Sequence, residues 1–145
     1  TNVAAVKDFH EWAKADAKKT LDANPATFGI VRGAVSELHA IAERRNDSQM
    51  RDLVTTMRSK AIRLRRDVYA ALKADGADQA RLALRAESLD LATRAATAVI
   101  TAKAGASMQR GCTAERRLRE AMFLQVQAQT AATRHASLAL IERQM

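Results

Sequence analysis

Met50, Val54, Met57, Ala61, Leu64, Val68 and Ala71 recur at alternating spacings of four and three, so one face of the segment after Asn46 is an unbroken apolar seam. That is the period of a helix packed in a bundle. It fixes an architecture and names no chemistry. The rest of the chain agrees with it, because one Pro and five Gly in 145 residues supply too little turn material for a sandwich or barrel. Aromatic residues make up only 3%, and alanine is the commonest residue, so the interior is built from small side chains that let helices approach closely. The expected fold is all-α: a single antiparallel up-and-down bundle of four to five helices, the last three long. At 15.8 kDa the chain is long enough for one domain with a core and too short for two of ordinary size.

Local signals place the helices. Asn2 can cap a first helix whose apolar positions Val6, Phe9, Ala13 and Ala17 share a face. Asn24 followed by Pro25 starts a second, with Phe28, Val31, Val35, Leu38 and Ala42 on its stripe, and Gly29 and Gly33 reading as points of close helix contact. Asn46, Asp47 and Ser48 end that helix and cap the third, which runs to about Ala74. Asp75 and Gly76 turn the chain into a fourth helix over about 78–104. This one carries two stripes, Leu82, Leu89, Ala92, Ala96 and Val99 beside Leu84, Leu91, Ala95 and Ala98, and so expects two packing neighbours. After a loop over 105–111, a fifth helix is expected from about Thr113 to the end, with Ala114, Ala121, Leu124, Ala128, Ala131, His135 and Leu138 on its seam. Helices one and two would pack as a hairpin against the long three. The up-and-down order puts the turns near Asn24 and Gly76 at one pole, and those near Asn46 and 105–111 at the other.

No catalytic constellation is legible. A ferritin-like metal site needs Glu-x-x-His on each of two helices, but His10 precedes Glu11 and His39 follows Glu37 by two, which puts each pair on different faces. His135, though on the last seam, reads like the other histidines as structural or surface, and not as a phosphorelay residue, for no Lys-Gly pair follows it. Nucleophile elbows and phosphate loops are absent, and the 105–111 loop has the wrong spacing for one. Cys112 stands at a helix start with Arg110, Arg116 and Arg117 nearby, which favours its thiolate, but a lone cysteine has no resolving partner in this chain. The expectation is a non-enzymatic protein with no metal or cofactor.

Charge is more informative than motif. Lys and Arg number 24 against 16 Asp and Glu, a formal charge of +8, which directs the chain toward anionic partners. On the up-and-down order, Arg44, Arg45, Arg51, Lys103, Arg110, Arg116 and Arg117 converge on one pole against Glu43, Asp47, Asp52 and Glu115, with Met108 as an apolar anchor among them. That combination suits an acidic protein surface or an anionic membrane surface. Arg51, Arg58 and Arg65 repeat every seven residues on the third helix, joined by Lys60, Arg63 and Arg66, a stripe compatible with a phosphate backbone. Asp52 and Asp67 interrupt it, and Trp12, Tyr69 and three Phe are too few for a single-strand binder, so nucleic acid is not favoured.

The functional expectation is an interaction module, monomeric or weakly dimeric, docking through its basic pole. The alternative is a ligand-sensing four-helix domain of a receptor, which would need apolar spans on both sides. No window here approaches the roughly 18 apolar residues of a spanning helix. The first residues, Thr1, Asn2 and Val3, lack an initiator Met and a leader pattern, which reads as a module excised from a longer protein, cytoplasmic or membrane-peripheral.

Overall fold

The computed structural model describes residues 8–145. Six helices follow one another: α1 (Phe9–Lys19), α2 (Pro25–Arg45), α3 (Ser48–Ala71), α4 (Asp78–Lys103), α5 (Thr113–Val126) and α6 (Ala131–Glu142), with a short 3-10 turn over Ala104–Met108. No strand occurs among the described residues. Asn2 and Val6 lie outside them.

Helix starts obey the capping rules. The Asn24 side chain accepts from the Ala26 N–H at 2.9 Å with Pro25 in the first turn, and the Asp47 side chain accepts from the Met50 N–H at 2.9 Å. Each satisfies a backbone donor that the helix cannot. Asn46 ends α2 in the left-handed region at φ 50°, which its short polar side chain tolerates.

The core lies where the two-stripe reading of α4 places it. Leu89, Ala92, Ala95, Ala96 and Val99 are buried with Val31, Ala34 and Leu38 of α2, Val54 and Leu64 of α3, and Ala114 and Ala121 of α5. The α4 helix touches α2, α3, α5 and α6, and it is the helix around which the others are arranged. Its alanines let four neighbours approach one axis. The α3 seam faces inward as its period dictates, with Val54, Met57, Leu64, Val68 and Ala71 buried and Met50 and Ala61 half-buried.

Ion pairs and hydrogen bonds fix the ends. Asp22 accepts from Arg81 at 2.7 Å, and Arg85 donates to the carbonyls of Asp22 at 3.0 Å and Gln127 at 2.9 Å, so the starts of α2 and α4 meet the end of α5. At the other end Glu37 of α2 meets Lys103, which closes α4, and Thr113, which opens α5.

Three expectations change. The expected hairpin of helices one and two does not form: α1 packs on no other helix among the described residues, and Phe9 and Trp12 are exposed against each other. The expected single last helix is broken into α5 and α6. Ala128 takes a left-handed φ of 52°, and Thr130 begins α6 with a reciprocal capping box to Thr133. The break turns the second half of the expected seam outward, so Ala128, Ala131, His135 and Leu138 are exposed, while Thr133 and Leu140 are buried instead. His135 is therefore a surface residue, one of the two readings open to it. Finally, α3 ends at Ala71, a turn's length short of the expected Ala74.

Arg85 is 7% exposed, and removing it orphans two carbonyls at once. Arg85→Met is expected to cost about 3–6 kcal/mol of unfolding free energy in urea titration, because it removes two charged-donor hydrogen bonds worth about 1.5–3 kcal/mol each. Arg85→Lys, which cannot reach both carbonyls, should recover less than half of that loss. Ala128→Gly is expected to raise stability by about 0.5–1 kcal/mol by relieving the left-handed backbone. The same change at exposed Ala83 inside α4 should lower it by about 1 kcal/mol, and thermal melts compare the two.

Candidate functional site

The expected basic pole is organised around an acid. Glu37 lies two turns before the end of α2, and its carboxylate receives the Lys103 ammonium at 2.6 Å, the Thr113 hydroxyl at 3.1 Å and the Arg117 guanidinium. Its side chain is 19% exposed. Three helices thus converge on one half-buried carboxylate. Burial raises its pKa, but hydrogen bonds from Lys103, Arg117 and Thr113 outweigh that and hold it below its ordinary value.

Gly33 explains how Arg117 reaches it. The glycine sits one helical turn before Glu37, and a Cβ there would stand 2.9 Å from Arg117 Nε. Gly33 thus stands at a contact between helices, with the space taken by a side chain of α5. At Gly29 a Cβ would meet nothing within 4 Å. Gly29 lies instead in a surface groove between α2 and α5, beside Phe123, Arg116 and Arg119.

The seven cations of the expected pole therefore divide. Lys103 and Arg117 are committed to Glu37 and are not free to meet a partner. Arg51 is held by Asn46 at 3.2 Å and by Glu43 at 3.8 Å, and Arg116 by Glu120 at 3.5 Å. Arg44, Arg45 and Arg110 are exposed, and no carboxylate lies within 4.0 Å of them among the described residues. Arg44 and Arg45 occupy the last turn of α2, where cations also complement the helix dipole.

Met108 is 81% exposed because its neighbour is not. Ser107 is 2% exposed and donates to the Ala104 carbonyl at 2.6 Å, which pins the 3-10 turn and pushes the next side chain outward. The turn continues α4 past Lys103, while α2 continues past Glu37 to Arg45. The Glu37–Lys103 pair and a cavity of about 760 Å³ shared by Leu38, Asp47 and Ala102 set both at the same end.

Cys112 caps α5 and is half-buried. The backbone N–H groups of Ala114 and Glu115 and the Lys103 ammonium lower its pKa, with the Ala114 amide the largest cause and burial opposing. The cation that acts on it is Lys103, whereas the sequence pointed to Arg110, Arg116 and Arg117. Among the histidines, His39 is exposed 3.9 Å from Glu43, and the backbone N–H of His10 donates to the Asp8 carboxylate at 2.9 Å. No group of three or more His, Cys, Asp or Glu side chains gathers at metal-binding distance among the described residues. No described helix is long and apolar enough to cross a membrane.

One cluster was not singled out in the sequence as a site. Arg32 of α2 joins Arg58 and Arg65 of α3 along a groove of about 380 Å³. The heptad spacing of Arg58 and Arg65 was visible, but the partner helix that turns a stripe into a groove was not. Arg65 also stacks over the Tyr69 ring, 5.7 Å from its centroid.

No family model, curated protein or solved structure matches this chain.

Because Glu37 has a depressed pKa in the folded chain, its contribution to stability is present above the unfolded carboxylate pKa and is lost as pH falls through the folded one. Glu37→Gln is expected to cost about 1–2 kcal/mol at pH 7. The gap between the two proteins should narrow as pH drops below about 4.5, read from urea titrations at successive pH values.

Proposed function

We propose that the chain is a non-enzymatic binding module that docks an acidic partner protein through the end bearing Arg44, Arg45, Arg110 and Met108. The observation that supports this most directly is the division of charge: two cations are spent on Glu37, while Arg44, Arg45 and Arg110 stand exposed with no carboxylate within 4.0 Å among the described residues. Surplus arginines on a firmly held scaffold favour recognition of carboxylates, since the planar guanidinium pairs with them bidentately and loses little freedom on doing so. The scaffold here is the Glu37 network, which ties α2 to the start of α5 and thereby holds the turn that carries Met108.

Protein is favoured over lipid. Shallow membrane insertion relies on a continuous apolar face. Met108 is flanked by buried Ser107 on one side and by exposed Gln109 and Arg110 on the other, so it offers one side chain to an apolar contact and no face. A single methionine amid arginines suits a small pocket on a polar protein surface, where it adapts to irregular shape.

Binding to immobilised poly-glutamate and to phosphatidylserine vesicles separates these readings. The expected outcome is salt-sensitive retention on poly-glutamate that falls at least about tenfold in Arg44→Glu/Arg45→Glu/Arg110→Glu. A charge-matched control, Lys73→Glu/Arg134→Glu/Arg143→Glu, should fall less. Equal loss in both would reduce the effect to net charge and remove the proposed docking end. Vesicle binding that exceeds poly-glutamate binding and depends on Met108 would instead transfer the end to lipid.

A further inference from the structure

The groove between α2 and α3 joins an apolar lining to three arginines with no acid among them. Its floor is apolar, formed by Phe28, Val31, Val35 and Ala61, and its rim carries the 67% exposed Ile62 with Arg32, Arg58 and Arg65. No acidic residue lines it, and no carboxylate lies within 4.0 Å of those three arginines among the described residues. The cavity between α3 and α4 includes Asp47 and Asp52, and the groove between α2 and α5 includes Glu120, so each of those carries its own counter-charge. An exposed isoleucine between unpaired guanidinium groups is incomplete on both counts: apolar surface is left in water, and positive charge is left without its complement.

We infer that this groove receives an acidic amphipathic helix of a partner protein. The spacing fits. Arg58 and Arg65 are seven residues apart, two helical turns, or about 10.5 Å along α3. Phe28 and Val35 are separated by the same interval on α2. A docked helix lying along the groove would present apolar side chains at i, i+4 and i+7 to that floor, as helix-in-groove recognition does, and acidic side chains at its flanks to the arginines on each side. Tyr69 steadies Arg65 from outside the groove, so one of the three guanidinium groups is already placed before a ligand arrives.

The groove shares no residue with the end that carries Arg44, Arg45 and Arg110, so it stands or falls separately from the docking role proposed for that end. Its test uses a labelled synthetic peptide with leucines at i, i+4 and i+7 flanked by glutamates, titrated with the full chain and followed by fluorescence anisotropy. Binding is expected to weaken at least about tenfold in Arg58→Glu/Arg65→Glu and severalfold in Ile62→Ser. It should stay within about twofold in Arg44→Glu/Arg45→Glu/Arg110→Glu, and a lysine-for-glutamate peptide should not bind. These side chains are exposed, so the variants should keep the parent circular dichroism. If the charge reversal unfolds the chain, Arg58→Gln/Arg65→Gln takes its place. Absence of peptide binding, or equal loss with the Arg44, Arg45 and Arg110 reversals, overturns the inference. So does tighter binding of duplex oligonucleotide or phosphatidylserine vesicles through Arg58 and Arg65, which would give the groove a different occupant.

Discussion

A guanidinium taken out of water is costly unless its donors are met, and Arg85 meets that condition at its two terminal nitrogens with backbone rather than with an acid. Its two terminal nitrogens donate to the carbonyls of Asp22 and Gln127, and its Nε has no partner among the described residues. Burial lowers its pKa and the Asp22 charge opposes that shift, while an arginine remains protonated at any ordinary pH. The two carbonyls belong to the connection before α2 and the connection after α5. One side chain on α4 therefore closes the end of the bundle, and the register of three helices depends on it. Arg81 beside it completes the closure by pairing with Asp22 and Asp78.

The opposite end uses the reverse chemistry. There an acid, Glu37, is the centre and cations converge on it, from the C-terminus of α4 and the first turns of α5. Lys103 is placed where the α4 dipole also favours a positive charge. The two ends are thus each locked by one charged residue reaching across helices, and the small-residue core between them is left to set distance rather than orientation. What these locks do not consume includes Arg44, Arg45 and Arg110 at this end, and Arg32, Arg58 and Arg65 along α2 and α3.

The sequence carried the helices whose boundaries are chemical. Asn24 with Pro25, Asp47 as a cap, and Asp75 with Gly76 are signals that act within a few residues, and α2, α3 and α4 begin where those signals put them. The break between α5 and α6 has no glycine or proline. It exists where Arg85, 42 residues away, captures the Gln127 carbonyl, and the Thr130 cap is only the local half of that event. The division of the basic residues was hidden for the same reason. Glu37 meets Lys103 across 66 residues and Arg117 across 80, so a count of charges along the chain could not tell which were already engaged. Arg32 escaped notice because a groove belongs to two helices, and the period of α3 describes one.

Among the described residues α6 packs on α4 and on no other helix, while α2, α3 and α5 each have at least two neighbours. A chain so connected need not open all at once. Among the helices packed on α4, the one whose lifting disturbs the core least is α6, with the α5–α6 connection as its hinge. The grip of Arg85 on Gln127 sits at that hinge, so the same contact that sets the fold also governs how often the last helix leaves it.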